Sequence, residues 1–273
     1  VWRQVRALED DYGVRFVAAK GRAVRLTEDG ERLMSLAAPL VEGFDSLRKV
    51  FSDLQTGAER VLRLAAPASV LNSSFRHVIA AYRLAHPEVR LTLIDAPSRV
   101  AWRMVESDTA DLAIVGVPDG IDMPARLSVE PLASYPFELI FPEGHPLSKL
   151  KRVGLREILS HPLILAGEDS SSRLQFDQVV AKAGLTSKVN VVMTAGNVPS
   201  ILNYVGLGIG VAILTRSAIE AISFPVVKKA GLAHRDVSTV LGHDNLVLVH
   251  PKGRHELGHV RVFREMVASS LKA

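Results

Sequence analysis

The chain has 273 residues, 48% of them hydrophobic and 23% charged, the proportions of an ordinary soluble globular protein. A net charge of +4 permits an acidic partner without specifying one, and the length allows one large core or two to three smaller ones. The lack of cysteine excludes disulfides, thiolate metal sites and a cysteine nucleophile, and the longest nearly apolar run, at 205–214, holds three glycines and falls well short of the ~20 residues of a membrane span. The first ten residues, VWRQVRALED, carry charges where a signal peptide needs an apolar run, so a cytoplasmic protein is expected.

Val1, Val5, Leu8 and Tyr12 recur at helical spacing, and Gly13 is placed to stop that helix. Residues 15–25 form two short β-prone runs about Lys20-Gly21, the pattern of a small hairpin. This opening segment holds six basic residues (Arg3, Arg6, Arg15, Lys20, Arg22, Arg25) against three acidic ones (Glu9, Asp10, Asp11). Thr27 suits a helix N-cap, with Glu28, Asp29 and Glu31 at the positive end of the helix that follows. Beyond it Leu33, Ala37, Leu40, Phe44, Leu47, Phe51 and Leu54 alternate steps of four and three, a heptad seam over three repeats. So narrow a stripe needs a partner helix. No second segment of the chain matches its length, so self-association is expected, with Pro39 kinking or loosening one turn.

After Gly57 the texture becomes α/β. Strands are predicted at 61–66, 90–94 and 111–115, with helices at 70–85 and 100–107 between them. A second series predicts strands near 137–141, 163–165, 189–193 and 211–214, with helices near 173–183 and 198–205. Further strands at 224–227, 237–240 and 245–250 lead into a C-terminal helix ending near 271. Two such units imply a bilobed α/β domain, with a cleft at the carboxyl ends of the strands where small ligands bind.

Several strings invite a chemical reading. His255-Glu256-Leu257-Gly258-His259 spells the H-E-x-x-H of zinc peptidases, in which two histidines one helical turn apart hold the metal and the glutamate acts as base. A third ligand is wanting: Glu265 is the sole downstream carboxylate, too close along the same helix, and Gly258 weakens that helix. A polar face on a terminal helix is the better reading, with no metal and no catalytic residue. Gly206, Gly208 and Gly210 follow a helix and precede a strand, the reverse of a dinucleotide-binding turn. Ser69 and the loop Glu168 to Arg173 each stand ahead of a helix, where hydroxyls and free N–H groups cap the helix or meet an anionic ligand.

VWRQVRALEDDYGVRFVAAKGRAVRLTEDGERL, with Gln4, Leu8, Glu9, Gly13-Val14, Leu26-Thr27 and Gly30 in register, resembles the LysR-type transcriptional regulators: the end of the recognition helix, the wing and the start of the linker helix. LRLAAPAS, RLAHPEVRL, ESDTADLAI, HPLSKLKRVGLREI and VGLGIGVAIL extend the resemblance over essentially the whole chain. It implies the C-terminal part of a winged helix-turn-helix at 1–27 and a dimerisation helix at 28–58. It also implies a periplasmic-binding-protein-like effector domain of two Rossmann-like subdomains, at 61–141 with 245–273 and at 142–244. By this resemblance Arg3, Gln4, Arg6, Lys20 and Arg22 contact double-stranded DNA. An effector would be held by Ser69, Ser98, Gly116, Val117, Ser171, Ser172, Asn197 and Val198. The partners implied are operator DNA, a small-molecule effector rather than a cofactor, a homodimer or homotetramer, and RNA polymerase. The chain begins inside the DNA-binding motif, Trp2 replaces a small hydroxyl residue, and Ala19 stands where the wing usually has arginine. These departures keep open a cytoplasmic small-molecule-binding module with a degenerate DNA-binding end. A zinc hydrolase built on the histidine motif is a third alternative.

Overall fold

The computed structural model describes residues 1–20, 23–37, 40–41, 44, 60–73, 75–222, 231–254 and 256–270. They fall into two compact units, Val1–Ala58 with Gly253–Leu257, and Glu59–Lys252 with Gly258–Ala273.

In the first unit, helix α1 (Trp2–Tyr12) ends at Gly13, whose φ of 70° is the left-handed conformation that a glycine adopts without strain. Strands β1 (Val17–Lys20) and β2 (Ala23–Leu26) pair antiparallel as the expected hairpin. Helix α2 is described over 28–37 and at residues 40, 41 and 44. Thr27 caps it by accepting from the Gly30 N–H at 3.1 Å while donating to the Arg15 carbonyl. Gly30 is required here, because a Cβ would sit 2.1 Å from the Phe16 carbonyl oxygen. Of the heptad seam, Leu33, Ala37, Leu40 and Phe44 are described. Pro39, Leu47, Phe51, Leu54 and the stop at Gly57 lie outside the described residues.

The second unit is built on one mixed sheet, in the order β4 (Val89–Asp95), β3 (Arg60–Ala66), β5 (Leu112–Pro118), β11 (His243–Pro251), β6 (Leu127–Pro142), β9 (Val211–Thr215), β7 (Leu163–Ala166), β8 (Val191–Ala195). Strand β10 (Leu232–Asp236) adds to β6. The 16-residue β6 joins the two lobes. Its first part, to Pro136, pairs with β11; from Phe137 it pairs with β9 and β10. Within each lobe the remaining strands are parallel, β4 and β5 flanking β3, and β8 and β9 flanking β7. This is a bilobed α/β fold of the periplasmic-binding-protein kind.

Burial follows the side-chain periods. Strand β5 is buried along its whole length, as a central strand covered on both faces must be. In the second lobe Phe137, Leu139 and Phe141 of β6 enter one core, while Ile140 enters the core on the opposite face. Helix α4 (Phe75–Ala85) buries Phe75, Ile79 and Tyr82, and α11 (Gly258–Ser270) buries Val260, Phe263 and Val267. The two helices meet at an edge-on Tyr82–Phe263 ring contact of 5.0 Å.

The sheet and helix order agrees with the periodicity, with local corrections. The helix expected over 70–85 is two helices, α3 (Ala68–Leu71) and α4, separated at Asn72 and Ser73. The strand expected at 237–240 is a short helix, α10 (Ser238–Leu241), begun by the Asp236 carboxylate accepting from the Ser238 N–H. The segment 224–227 lies outside the described residues. Among the described residues no helix is long and apolar enough to cross a membrane.

Candidate functional site

A cavity of about 710 Å³ opens where the parallel strands of both lobes end. Strand β3 leads into α3, β4 into α5 (Ser98–Glu106), β7 into α7 (Ser171–Lys182), and β8 into α8 (Val198–Gly206). Each crossover brings a helix N-terminus to the gap, where the N–H groups of its first turn have no partner further along the helix. Ser69, Ser98, Gly116, Ser171, Ser172, Asn197 and Val198 all line it. Val117 does not. As the neighbour of Gly116 in a strand it points to the opposite face, buried in the first-lobe core with Trp102 and Val115.

These side chains differ in how they are already occupied. The Ser98 hydroxyl accepts from the Gly116 N–H at 3.2 Å, and Asn197 caps α8 by accepting from the Ser200 N–H at 2.9 Å. Ser170, also in the lining, caps α7 through the Arg173 N–H. Ser171 donates to Asp244 Oδ2 at 3.1 Å. The half-buried Ser69 hydroxyl has no hydrogen bond among the described residues, and α3 carries no side-chain cap.

Charge in the lining is sparse. Arg76 is its basic residue among those described, exposed and donating to the Asn72 carbonyl. Asp95 accepts from the Ala68 N–H at 2.8 Å. The third charged residue is Asp244, at the start of β11 and only 5% exposed. Burial pushes its carboxyl up to about 7, against the Ser171 hydrogen bond and with the Asp119 charge adding to the rise. Sequence reasoning missed Asp244; its only trace was a carboxylate immediately ahead of an apolar strand. The lobes are also clasped beside the cavity, where the Arg99 N–H donates to the Asp169 carbonyl at 3.0 Å and Arg99 Nε to Asp169 Oδ1 at 2.5 Å.

In the other unit, Arg3, Gln4 and Arg6 are exposed on α1, and Lys20 ends β1; Arg22 lies outside the described residues. Glu9 has a role that the motif alone did not reveal. It is 4% exposed, and its Oε1 accepts from the N–H groups of Phe16 and Val17 while Oε2 pairs with Arg15. Burial opposes its charge, but the Val17 and Phe16 amides and the Arg15 guanidinium outweigh it and hold the carboxyl below its usual range. One carboxylate thus fixes the hairpin to the helix.

Of the H-E-x-x-H string, Gly258 and His259 open α11 while Glu256 and Leu257 lie ahead of it, and His255 lies outside the described residues. His259 Nε2 is 3.1 Å from the Val61 carbonyl, and the His259 carbonyl accepts from the Tyr82 hydroxyl at 2.7 Å. This histidine ties α11 to β3 and α4.

The family model described as "LysR substrate binding domain" matches residues 55–272. The HTH-type transcriptional regulator cbl of Escherichia coli (strain K12) is 28% identical over 225 residues, which is 80% of this chain and 68% of that protein. The HTH-type transcriptional regulator CysB of Burkholderia cenocepacia is 27% identical over 273 residues, 99% of this chain and 84% of that protein. Among solved structures, the cofactor-binding domain of the Cbl transcriptional regulator superposes with a TM-score of 0.65 at 24% identity. It covers 78% of this chain and 90% of its own.

Proposed function

This chain belongs to the LysR family of transcriptional regulators, and from that premise we propose which of its residues meet the effector and which meet DNA. It is a DNA-binding regulator controlled by a small-molecule effector, and the interlobe cavity is the effector's place. Ser69, Ser98, Gly116, Ser171, Ser172, Asn197 and Val198 are the proposed contacts, with Val117 supporting Gly116 from behind. One observation carries this reading: seven residues drawn from both lobes, separated by up to 129 positions, line one cavity at strand ends. An effector that binds one arrangement of the lobes better than another shifts the population by that difference in affinity and no more.

On the DNA side, Arg3, Gln4 and Arg6 face the major groove, and Lys20 and Arg22 reach phosphates from the wing. The exposure of Arg3, Gln4 and Arg6 on α1 and the Glu9 staple that presents the hairpin favour this over a binding module whose DNA end is unused. The working form is a cytoplasmic homodimer or homotetramer acting on RNA polymerase from its operator. We propose lobe boundaries at Pro136–Phe137, where β6 changes partner, and at Gly242–His243, where β11 begins, a few residues ahead of the divisions at 141–142 and 244–245 expected from the sequence.

The test is DNA binding by the full-length protein. Lys20→Ala should weaken binding about equally to specific and random duplexes and lower the salt dependence by about one charge. A small molecule that raises the melting temperature should also change operator affinity. Stabilising ligands without any effect on DNA binding would sink the regulatory reading.

A further inference from the structure

Asp244 carries a buried acceptor that the folded chain leaves unused. Its Oδ2 takes the Ser171 hydroxyl, while Oδ1 has no hydrogen-bond partner among the described residues, and the carboxyl makes no ion pair there. Leaving a buried acceptor unmade is costly, and native proteins keep few such groups. The group is nonetheless held in place with care. Gly116 leaves the space the carboxyl occupies, and Ser171 orients it from the first turn of α7 in the other lobe. Asp244 lines the same cavity as the N-termini of α5, α7 and α8.

From these facts, and resting on the reading of the cavity as the effector site, we propose that Asp244 selects the effector. The effector is a small hydroxy- or amino-carboxylate, whose O–H or N–H donates to Oδ1 while its carboxylate meets the helix N-termini. A carboxylate alone is a poor match, because Asp244 and Asp95 in the lining repel it and leave Oδ1 unsatisfied. A donor alone leaves the positive ends of these helices without an anion. The molecule that answers both has the two groups together. Because Ser171 and Asp244 belong to different lobes, filling Oδ1 also reinforces the contact that holds the lobes together.

The experiment compares two matched sets on the full chain by thermal shift and calorimetric titration. One is succinate, malate and aspartate; the other is cyclohexanecarboxylate with its 3-hydroxy and 3-amino derivatives. In at least one set a substituted member should bind about tenfold or more tighter than its parent, the range expected for a hydrogen bond to a charged group. In Asp244→Asn that preference should fall below about threefold. Equal affinity for parent and substituted members, or a preference that survives in Asp244→Asn, overturns the proposal. Should Asp244→Asn not fold, the unaltered protein still decides. A substituted member that binds no tighter than its parent in either set overturns the proposal. If none of the six binds, the proposal falls. A wider metabolite screen then separates the two readings: a stabilising ligand of another class keeps the effector cavity, and none at all removes that too.

Discussion

Gly116 and Asp244 share one space. A Cβ on Gly116 would lie 2.4 Å from each oxygen of the Asp244 carboxyl, well inside contact distance. Gly116→Ala should therefore cost about 1–3 kcal/mol through overpacking, which outweighs the ~0.4–1 kcal/mol that Gly→Ala gains by restricting the unfolded chain. Adding Asp244→Ala should recover most of the loss. Urea denaturation of the two single variants and the double variant gives the coupling directly. Additive effects would show that the two positions do not compete.

The same carboxyl sets a pH dependence of known sign. Its folded value near 7 stands above the ordinary 3.8, so between those values the folded protein holds a proton that the unfolded chain has released. That contribution to stability is full below about pH 4, declines as pH rises, and is gone above about 7. Asp244→Asn removes it. The stability of the variant relative to the unaltered protein should rise from pH 5 to about pH 7 and level off above it in urea titrations. A pH-independent difference would mean that Asp244 titrates normally in the folded state.

Ser69 offers a cleaner test of the binding wall, because its hydroxyl is not committed to a helix cap. Ser69→Ala should change the unliganded melting temperature little and weaken a carboxylate effector by one to two orders of magnitude, following the ~1.5–3 kcal/mol of a hydrogen bond to a charged partner. A capping role predicts the opposite pair of results: a loss of about 1 kcal/mol in stability with affinity intact.

The parts of this fold legible in the sequence were those governed by local periodicity. Alternating strands and helices, the hairpin after Gly13 and the polar residues at strand ends follow from neighbours along the chain. Where long-range contacts decide, the pattern misled or was silent. Val237 and Val240 suggested a strand, but the Val237 N–H is taken by the distant Phe137 carbonyl and a helical turn begins at Ser238. The first part of β6 contains Pro131 and Pro136, which discourage a strand assignment, yet β11 pairs along it. Asp244 could not be recognised as a buried acceptor, because its burial depends on Ser171 and Gly116, both distant in sequence.

The histidine motif gives a prediction of absence. His259 is engaged with the Val61 carbonyl, and the helix that would align two ligands begins too late. Purified protein should hold well under one zinc per chain after dialysis. Glu256→Gln should leave DNA and ligand binding unchanged. Stoichiometric zinc that survives dialysis would require a different arrangement of this segment.

Helix α2 supplies the last prediction. Leu40 is 74% exposed and Phe44 64% exposed on the described part of the seam, with Leu36 and Val41 exposed beside them. A row of large apolar side chains left open on one helix costs solvation free energy that a partner helix recovers, about 25 cal/mol per Å² of apolar area removed from water. The steps of four and three continue in sequence through Leu54, so the matching surface is a second copy of the same seam. Leu40→Lys with Phe44→Lys places two like charges per chain at the contact, where they meet their counterparts in the second copy and cannot be screened as they are in water. Two lysines on an exposed helix disturb nothing within one chain. The effector domain should therefore keep its melting behaviour while size-exclusion chromatography and light scattering report a smaller particle. An unchanged particle mass would show that the seam is not what joins the copies.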